Sequence, residues 1–485
     1  MAGSSTDDLW NGLWGILRAY TGIRPDLMAL PDNPNGRSNL DPGAVGAYDF
    51  SCPKSAAVRT FDVTTVTAAN ALPNGRLVYN SRTDGSFGSL WDPTSILYVR
   101  SGDLDTTGKI KPGYNLRPEP LILRAKAGEC IKLTLRNKLP STLPDLDGYN
   151  TLPMLVERFN ANDIRPSSQV GLHPQLLYYD VSRFDGANVG RNGNQLVAPG
   201  QFATYEWYAG DVTINPDGTV TATPLELGAT NLQSSDRIEH ASKGAIGALI
   251  IEPPNAIISE FDTYRRAVAT ISGGTEGSFR EFVLLLQNDI NLRSESSQVA
   301  QLCVPGDPGP ATAAQGWPVD NLGCEEDPED SGQKAFNYRT EPLWKRMQHA
   351  PGTQFADTDD FTDWWDVLAN VKVGADPQTP VYTVAPGLPV RFRLLMPGGH
   401  SRNIVFSLAG HVWDKEPYVQ SSTRLGRNSF SFWEGAHMGF GPSNHFDLLL
   451  RNGAGGKFSI NSDYLFRDQT GPGIDNGLWG ILRVQ

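Results

Sequence analysis

The sequence is poor in the residues that bind redox metals, because its 485 residues include only seven histidines and four cysteines. The cysteines form no C-x-x-C pair, so nothing supports dithiol redox chemistry or a zinc ribbon. The sequence also contains no G-x-S-x-G, P-loop, G-x-G-x-x-G or H-E-x-x-H motif. No sequence motif therefore supports a hydrolase, nucleotide-binding or zincin function.

Long apolar stretches and basic clusters are missing as well. No apolar run approaches the roughly 18 residues that span a bilayer, so we expect no membrane span. The formal net charge is −12, which argues against a nucleic-acid partner. The opening MAGSSTDDLW has neither a basic region nor an apolar stretch, so we expect no secretory signal. The compartment stays open, and export together with a partner is one alternative.

The four cysteines leave the disulfide state open. Cys303 and Cys324 lie in one loop that is rich in Pro, Gly and Asp, and they are candidates for a disulfide. The alternative is four separate thiols, which also include Cys52 and Cys130. Disulfides persist only in oxidising compartments, so an unknown compartment leaves every pairing undecided.

Short apolar runs separated by Gly and Pro predict an all-β protein. The chain has 50 Gly and 35 Pro, and its strand signals begin near Arg76. In the stretch ECIKLTLRN, Ile131, Leu133 and Leu135 alternate with polar residues. Because successive side chains of a strand point to opposite faces, this pattern predicts a half-buried antiparallel strand.

The second half of the chain repeats the plan of the first. The stretch VAPGLPVRFRLLMPG (384–398) resembles VAPGQFATYEWYAG (197–210), each with a Pro-Gly turn before an alternating strand. We therefore predict a duplicated β-sandwich joined near residue 255. The predicted units are an N-terminal strand and tether (1–48), a first domain (49–255) and a second domain (256–485). The second domain includes an irregular surface excursion (288–345).

Eight residues occur twice without a change. The sequence NGLWGILR stands at Asn11–Arg18, which we call the N-terminal repeat, and at Asn476–Arg483, the C-terminal repeat. We read the N-terminal repeat as the last strand of a domain that does not precede it in this chain. A strand with unpaired backbone groups and apolar side chains invites pairing with another sheet. We expect it to dock on another chain through the apolar side chains of Leu13, Trp14, Ile16 and Leu17.

Several stretches, in order, carry a resemblance to the multicopper oxidases, whose domains are cupredoxins. These are PLILRAKAGECIKLTLRNKLP, GLHPQLLYYDVSRFDGANVG, EHASKGAIGALIIEP, GGHSRNIVFSLAGHVW, GPSNHFDLLL and SDYLFRDQTGPGIDNGLWGILRVQ. The chain most resembles the C-terminal part of very large bacterial multicopper oxidases of the manganese-oxidising type. The resemblance implies tandem cupredoxin-like Greek-key β-sandwiches with long loops and an extra N-terminal strand.

The family's copper ligands are not found where the resemblance places them. Membership implies an electron-entry copper held by Cys and His, and a trinuclear cluster whose imidazoles outnumber this chain's seven histidines. Gln175 replaces the second residue of the first His-x-His motif, and SINSDYLFRDQ stands where His-Cys-His belongs. The remaining candidate metal ligands, each with a structural role as its alternative, are His173, His400, His411, His437 and His445.

We therefore predict a copper-poor cupredoxin subunit of a split or multi-subunit multicopper oxidase. No cofactor is expected on this chain alone. Copper would lie on a partner chain, or one copper would be shared, and the chemistry would be one-electron oxidation of a metal ion or phenol with O2. One rival is a non-catalytic binding or structural β-sandwich that associates with copies of itself. A weaker rival is a self-contained copper oxidase with unusual ligands.

Overall fold

The structure is a computed structural model. It describes residues 9, 12–18, 52–83, 87–114, 117–143, 165–215, 219–260, 266–274, 277–290, 292–296, 317–318, 333–348, 366–399, 403–419 and 422–485. Within these ranges no helix is both long enough and apolar enough to cross a membrane.

The first half of the chain forms a β-sandwich. Its strands are β1 (Val58–Thr67), β2 (Leu77–Asn80), β3 (Leu90–Asp92), β4 (Ile96–Arg100), β5 (Leu121–Lys126), β6 (Cys130–Asn137), β7 (Leu172–Pro174), β8 (Phe202–Tyr208), β9 (Gly210–Ile214), β10 (Val220–Pro224), β11 (Gly228–Ser234) and β12 (Gly247–Glu252). One layer has the order β4-β1-β6-β8 and the other β5-β12-β11-β7. The chain changes layer between β5 and β6, so the core lies between the two sheets.

The second half forms another sandwich. Its strands are β13 (Ile257–Glu260), β14 (Val268–Gly274), β15 (Gly277–Ile290), β16 (Arg293–Ser294), β17 (Trp317–Pro318), β18 (Gln333–Phe336), β19 (Val381–Val384), β20 (Val390–Leu395), β21 (Ile404–Leu408), β22 (Trp413–Asp414), β23 (Tyr418–Val419), β24 (Arg424–Leu425), β25 (Trp433–Glu434), β26 (Ala436–Phe440), β27 (His445–Leu449), β28 (Ser462–Asp468) and β29 (Trp479–Val484). Its layers run β13-β14-β15-β20-β27 and β19-β29-β28-β21-β26.

The strand pairing confirms an all-β protein with two sandwiches in tandem, and it corrects one sequence alignment. Strand β6 is parallel to β1 and antiparallel to β8, and β20 is likewise parallel to β15 and antiparallel to β27. The second VAPG stretch therefore leads into the counterpart of β6. The sequence analysis had instead matched the second VAPG stretch with the stretch that forms β8. That match was wrong, because Pro-Gly turns precede strands at several places in this chain.

The predicted alternation in β6 is confirmed, but its pairing is mixed. Ile131, Leu133 and Leu135 are all buried, whereas Lys132 is exposed. Because β6 has one parallel neighbour, the purely antiparallel prediction was wrong. That neighbour, β1, starts at Val58, well before the predicted first strand signal at Arg76.

Three apolar clusters hold the two sandwiches together. One lies inside each sandwich and the third lies between them. In β12, Leu249 and Ile251 face the first core while Ala248 and Ile250 face the interface. Strands β5, β12, β15 and β20 bury both faces in this way. Both halves therefore share a single packed interior.

Part of the predicted surface excursion is buried. Strand β18 pairs with β15, and Phe336 and Tyr338 are nearly inaccessible. The prediction of an irregular surface segment was therefore wrong for residues 333–345, because their aromatic side chains complete the interior. Most of the excursion before residue 333 lies outside the described residues.

The short α-helices are α1 (Ala68–Ala71), α2 (Val181–Phe184), α3 (Leu343–Met347), α4 (Asn370–Val373) and α5 (Gly471–Asp475). Two further short helices, at Ser101–Asp103 and Gly456–Phe458, are 3-10 helices.

A disulfide joins Cys52 to Cys130, with 5.7 Å between their Cα atoms. It links the segment before β1 to the start of β6, two strands that run side by side. The pair named as a candidate from the sequence, Cys303 and Cys324, lies outside the described residues.

Candidate functional site

The interface between the sandwiches contains a buried ionic cluster of five residues: Arg124, Glu252, Glu281, Arg393 and Asp447. Arg393 donates hydrogen bonds to Glu281 at 2.8 Å and to Glu252 at 3.1 Å, and it also contacts Asp447. Arg124 donates to the other oxygen of Glu281 at 2.9 Å. Because the five side chains come from five strands of both sandwiches, the cluster fixes one sandwich against the other.

The carboxyl groups of this cluster differ in ionisation. Burial and the neighbouring charge of Glu281 raise the pKa of Glu252 well above its ordinary value. Burial also acts to raise the pKa of Glu281, but the two guanidinium groups outweigh it and hold that pKa at about 2. Of this coupled pair, Glu252 is therefore the carboxyl that favours the protonated form. Arg124 also forms an ion pair with Glu260 at 3.3 Å, so a partly exposed carboxylate outside the cluster shares its charge.

An amide cluster lies at one end of the same interface. The Gln175 side chain donates to the carbonyl of Ser443 at 3.1 Å, and Asn231 donates to Gln175 at 2.8 Å and to the carbonyl of Asn444 at 3.1 Å. Gln233 donates to the carbonyl of Pro397 at 3.0 Å. The position where the resemblance expects a His ligand, Gln175, therefore bonds the two sandwiches through its amide.

Two predicted histidine ligands lie near this end of the interface. His173 in β7 is held by Asp185, whose backbone and side-chain oxygens are 3.1 and 3.0 Å from its Nδ1. His445 begins β27, and its Nδ1 is buried with no hydrogen-bond partner among the described residues. Burial lowers the pKa of His445, although Asp447 opposes the shift. His445 is therefore neutral near pH 7.

The other two described candidates have local partners. His411 donates from Nδ1 to the carbonyl of Ala409 at 2.9 Å and accepts the backbone N–H of Gly455 at Nε2, at 3.0 Å. These bonds fix the neutral tautomer. Burial lowers the pKa of His411, although the bond to Ala409 opposes the shift. The Nδ1 of His437 contacts Glu434, and its ring packs against Phe446 with 3.8 Å between centroids.

Of the remaining three histidines, the structure describes His240. His240, which sequence reasoning did not single out, is fully buried between the Ser234 hydroxyl at 2.5 Å and the Ser167 carbonyl at 2.7 Å. No sequence signal marks such a structural histidine apart from its place in the turn before β12. His349 and the predicted ligand His400 lie outside the described residues.

The described residues do not fit a copper site. In this part of the chain, the one set of three or more Cys, His, Asp or Glu groups close enough to hold an ion is Cys52, Cys130 and Glu206. Both cysteines of that set are in the disulfide and therefore offer no thiolate. The four described candidate histidines are not brought together, and both ring nitrogens of His411 are engaged.

The two copies of NGLWGILR lie in opposite environments. In the C-terminal repeat, Leu478, Trp479, Ile481 and Leu482 are at most 5% exposed. In the N-terminal repeat, the matching residues are exposed, from 46% to 83%: Leu13, Trp14, Ile16 and Leu17. The residues predicted to bind a partner thus form an apolar surface, although identical side chains form core elsewhere.

The turn at the start of the two copies is nevertheless alike. The Gly12 amide donates to the carbonyl of Leu9 and the Trp14 amide to that of Gly12, at 3.3 and 2.8 Å. Gly477 and Trp479 repeat these bonds to Ile474 and Gly477, at 3.1 Å each. Gly12 and Gly477 both have positive φ, 89° and 108°, which favours glycine. The local sequence therefore sets the same turn in both copies.

No family model and no curated protein matches the sequence. Solved structures similar to the chain are copper proteins of the multicopper oxidase and nitrite reductase type. One, described as a multicopper oxidase, is 14% identical with a TM-score of 0.42, covering 90% of this chain and 92% of that one. The blue copper oxidase of Nitrosomonas europaea is 13% identical with a TM-score of 0.41, covering 88% and 86%. The copper nitrite reductase of the same organism is 11% identical with a TM-score of 0.42, covering 88% and 94%. At such identities the likeness does not extend to activity or metal content.

Proposed function

We propose that this chain is a copper-poor, cupredoxin-type subunit of a multi-subunit multicopper oxidase, related to the C-terminal part of the large manganese-oxidising type. It binds a copper-bearing partner chain through the N-terminal repeat. The observation that carries the proposal is the exposure of Leu13, Trp14, Ile16 and Leu17 in a sequence whose second copy is buried. An exposed apolar surface of this kind marks a protein interaction site.

The redox chemistry in this proposal belongs to the partner. The reaction class is one-electron oxidation of a metal ion or phenol coupled to reduction of O2 at copper. No step is assigned to residues of this chain, because its described histidines and cysteines do not fit a copper site. The chain instead contributes a rigid double sandwich, and binding to the folded partner stabilises that partner by mass action.

The test is copurification from the native host, followed by copper determination on the complex. The full chain should purify with a copper-containing partner, and the variant Leu13→Ser/Trp14→Ser/Ile16→Ser/Leu17→Ser should not. A control variant, Phe430→Ser/Phe432→Ser, changes side chains that are 96% and 82% exposed elsewhere on the surface and should retain the partner. A chain that purifies alone, or with copies of itself and without copper, overturns the proposal.

A further inference from the structure

The C-terminal repeat shows what surroundings bury its side chains, whereas the apolar side chains of the N-terminal repeat are exposed in the described part of the chain. Strand β29 lies between β19, to which it is parallel, and β28, to which it is antiparallel. Leu478 and Leu482 enter the core of the second sandwich, whereas Trp479 enters a smaller cluster beside α5. An identical strand would bury its side chains only in a gap of the same kind.

In the C-terminal repeat, which is buried, a residue larger than glycine would not fit at the centre of the repeat. A Cβ on Gly480 would lie 2.2 Å from the Phe466 ring and 2.5 Å from the carbonyl oxygen of Pro380. A Cβ on Gly15 would meet no described atom within 4 Å. No described atom therefore occupies the side-chain space at Gly15, although the identical repeat keeps glycine there.

Two further side chains of the buried copy have specific partners. The Trp479 indole N–H donates to the carbonyl of Glu341 at 2.8 Å, and the Arg346 guanidinium lies 5.3 Å from its ring centroid. Arg483 is bound by two carboxylates, Asp463 at 2.8 Å and Asp376 at 2.7 Å. The sequence of the repeat therefore matches an acceptor with a carbonyl, a cation and carboxylates at fixed positions.

We infer that the N-terminal repeat is a preformed ligand for a gap between two strands of a β-sandwich in the partner chain. The gap presents one parallel and one antiparallel neighbour, an aromatic ring against Gly15, a cation over Trp14 and a carboxylate opposite Arg18. The turn at Gly12 is already formed, so docking loses less conformational entropy than the ordering of an unstructured peptide. A second copy of this chain offers no such gap, because its own C-terminal repeat fills it.

This inference rests on the proposed function and is tested in the same complex. In the full chain, Trp14→p-benzoylphenylalanine places a photo-crosslinker on the repeat, and a crosslinker at Phe458, 77% exposed elsewhere, is the control. Irradiation in the native host should join position 14 to a copper-containing β-sandwich protein, next to an aromatic residue between two strands. Crosslinks from position 14 to another copy of this chain overturn the inference.

A steric variant separates the two proposals. Gly15→Val should weaken the complex about tenfold to a hundredfold, because an added side chain meets the aromatic ring of the acceptor. Gly193→Val, at a glycine whose Cβ also meets no described atom, should bind as the unchanged chain does. If the copper-bearing complex forms equally well with Gly15→Val, the docking inference fails and the proposed function stands. If no copper-bearing complex forms with the unchanged chain, both fail.

Discussion

Glu252 and Glu281 share one guanidinium, that of Arg393, in the buried interface between the sandwiches. Both carboxyl groups are inaccessible to solvent, so each charge there must be compensated within the protein. The two residues nevertheless differ in role. Arg393 and Arg124 lower the pKa of Glu281, whereas burial and the charge of Glu281 raise that of Glu252.

This difference predicts unequal effects of removing each charge. Glu281→Gln should lower the free energy of unfolding by about 3–5 kcal/mol, because it leaves two buried guanidinium groups with too little negative charge. Glu252→Gln should change it by less than about 1 kcal/mol, because an amide reproduces both the donor and the acceptor of a protonated carboxyl. Denaturant unfolding at neutral pH measures both. Equal losses in the two variants would contradict the assignment of the proton.

The same cluster predicts that the free energy of unfolding depends on pH above 4.5. Since the pKa of Glu252 is raised above its ordinary value of 4.5, the folded chain binds more protons than the unfolded chain between the two pKa values. The stabilisation is complete below 4.5 and is lost as the pH rises through the folded pKa. The free energy of unfolding should therefore fall with rising pH in the unchanged chain and fall less in Glu252→Gln. Parallel pH profiles of the two proteins would refute this.

The contacts of the ionic cluster could not be predicted from the sequence. Alternation identified the buried face of β6, since one face of that strand is polar. In β12 and β15, charged residues end or begin apolar runs, and nothing local indicates that Glu252 and Glu281 meet arginines from distant strands. Strand β1 was missed because its buried residues include Thr64 and Thr65, which weaken the apolar signal.

For the repeated sequence as well, local structure could be predicted from the sequence, whereas burial could not. The described residues of both copies form the same turn, at Gly12 and at Gly477, so the local sequence is sufficient for that turn. Burial differs because it depends on neighbours such as Phe466 and Pro380, which only the C-terminal repeat has. Repetition of the sequence pointed to the candidate partner-binding residues, whose role stays a prediction. The engaged nitrogens of His411 and His240, by contrast, depend on distant backbone groups.

The two tryptophans of the repeat predict a matched pair of stability effects. Trp479→Ala should lower the free energy of unfolding by about 3–5 kcal/mol, because Trp479 is fully buried. Trp14→Ala should change it by less than about 0.5 kcal/mol, because Trp14 is 63% exposed. Thermal and denaturant unfolding of the isolated chain compare the two. A large loss for Trp14→Ala would show that the N-terminal repeat is packed within the isolated chain.

The disulfide predicts a stability loss on reduction. Cys52 and Cys130 are 78 residues apart, so their bond restricts the unfolded chain and should contribute about 2–4 kcal/mol. Cys52→Ala/Cys130→Ala should show this loss in denaturant unfolding, and added reductant should then have no further effect through this pair. Cys303→Ala/Cys324→Ala is the control and should keep the sensitivity to reductant. A double variant at Cys52 and Cys130 as stable as the unchanged chain would contradict a structural role for this bond.

Copper titration of the purified full chain tests the proposal that copper is bound by the partner and not by this chain. The described residues should give no intense blue absorption, because such a band needs a cysteine thiolate on copper and both described cysteines are in the disulfide. Metal analysis after desalting should find far less than one copper per chain, since the described histidines are apart and partly engaged. The variant His349→Ala/His400→Ala is the control for the two histidines outside the described residues. Stoichiometric copper with a blue band that this variant removes would place a copper centre on this chain and end the proposal that its partner carries the metal.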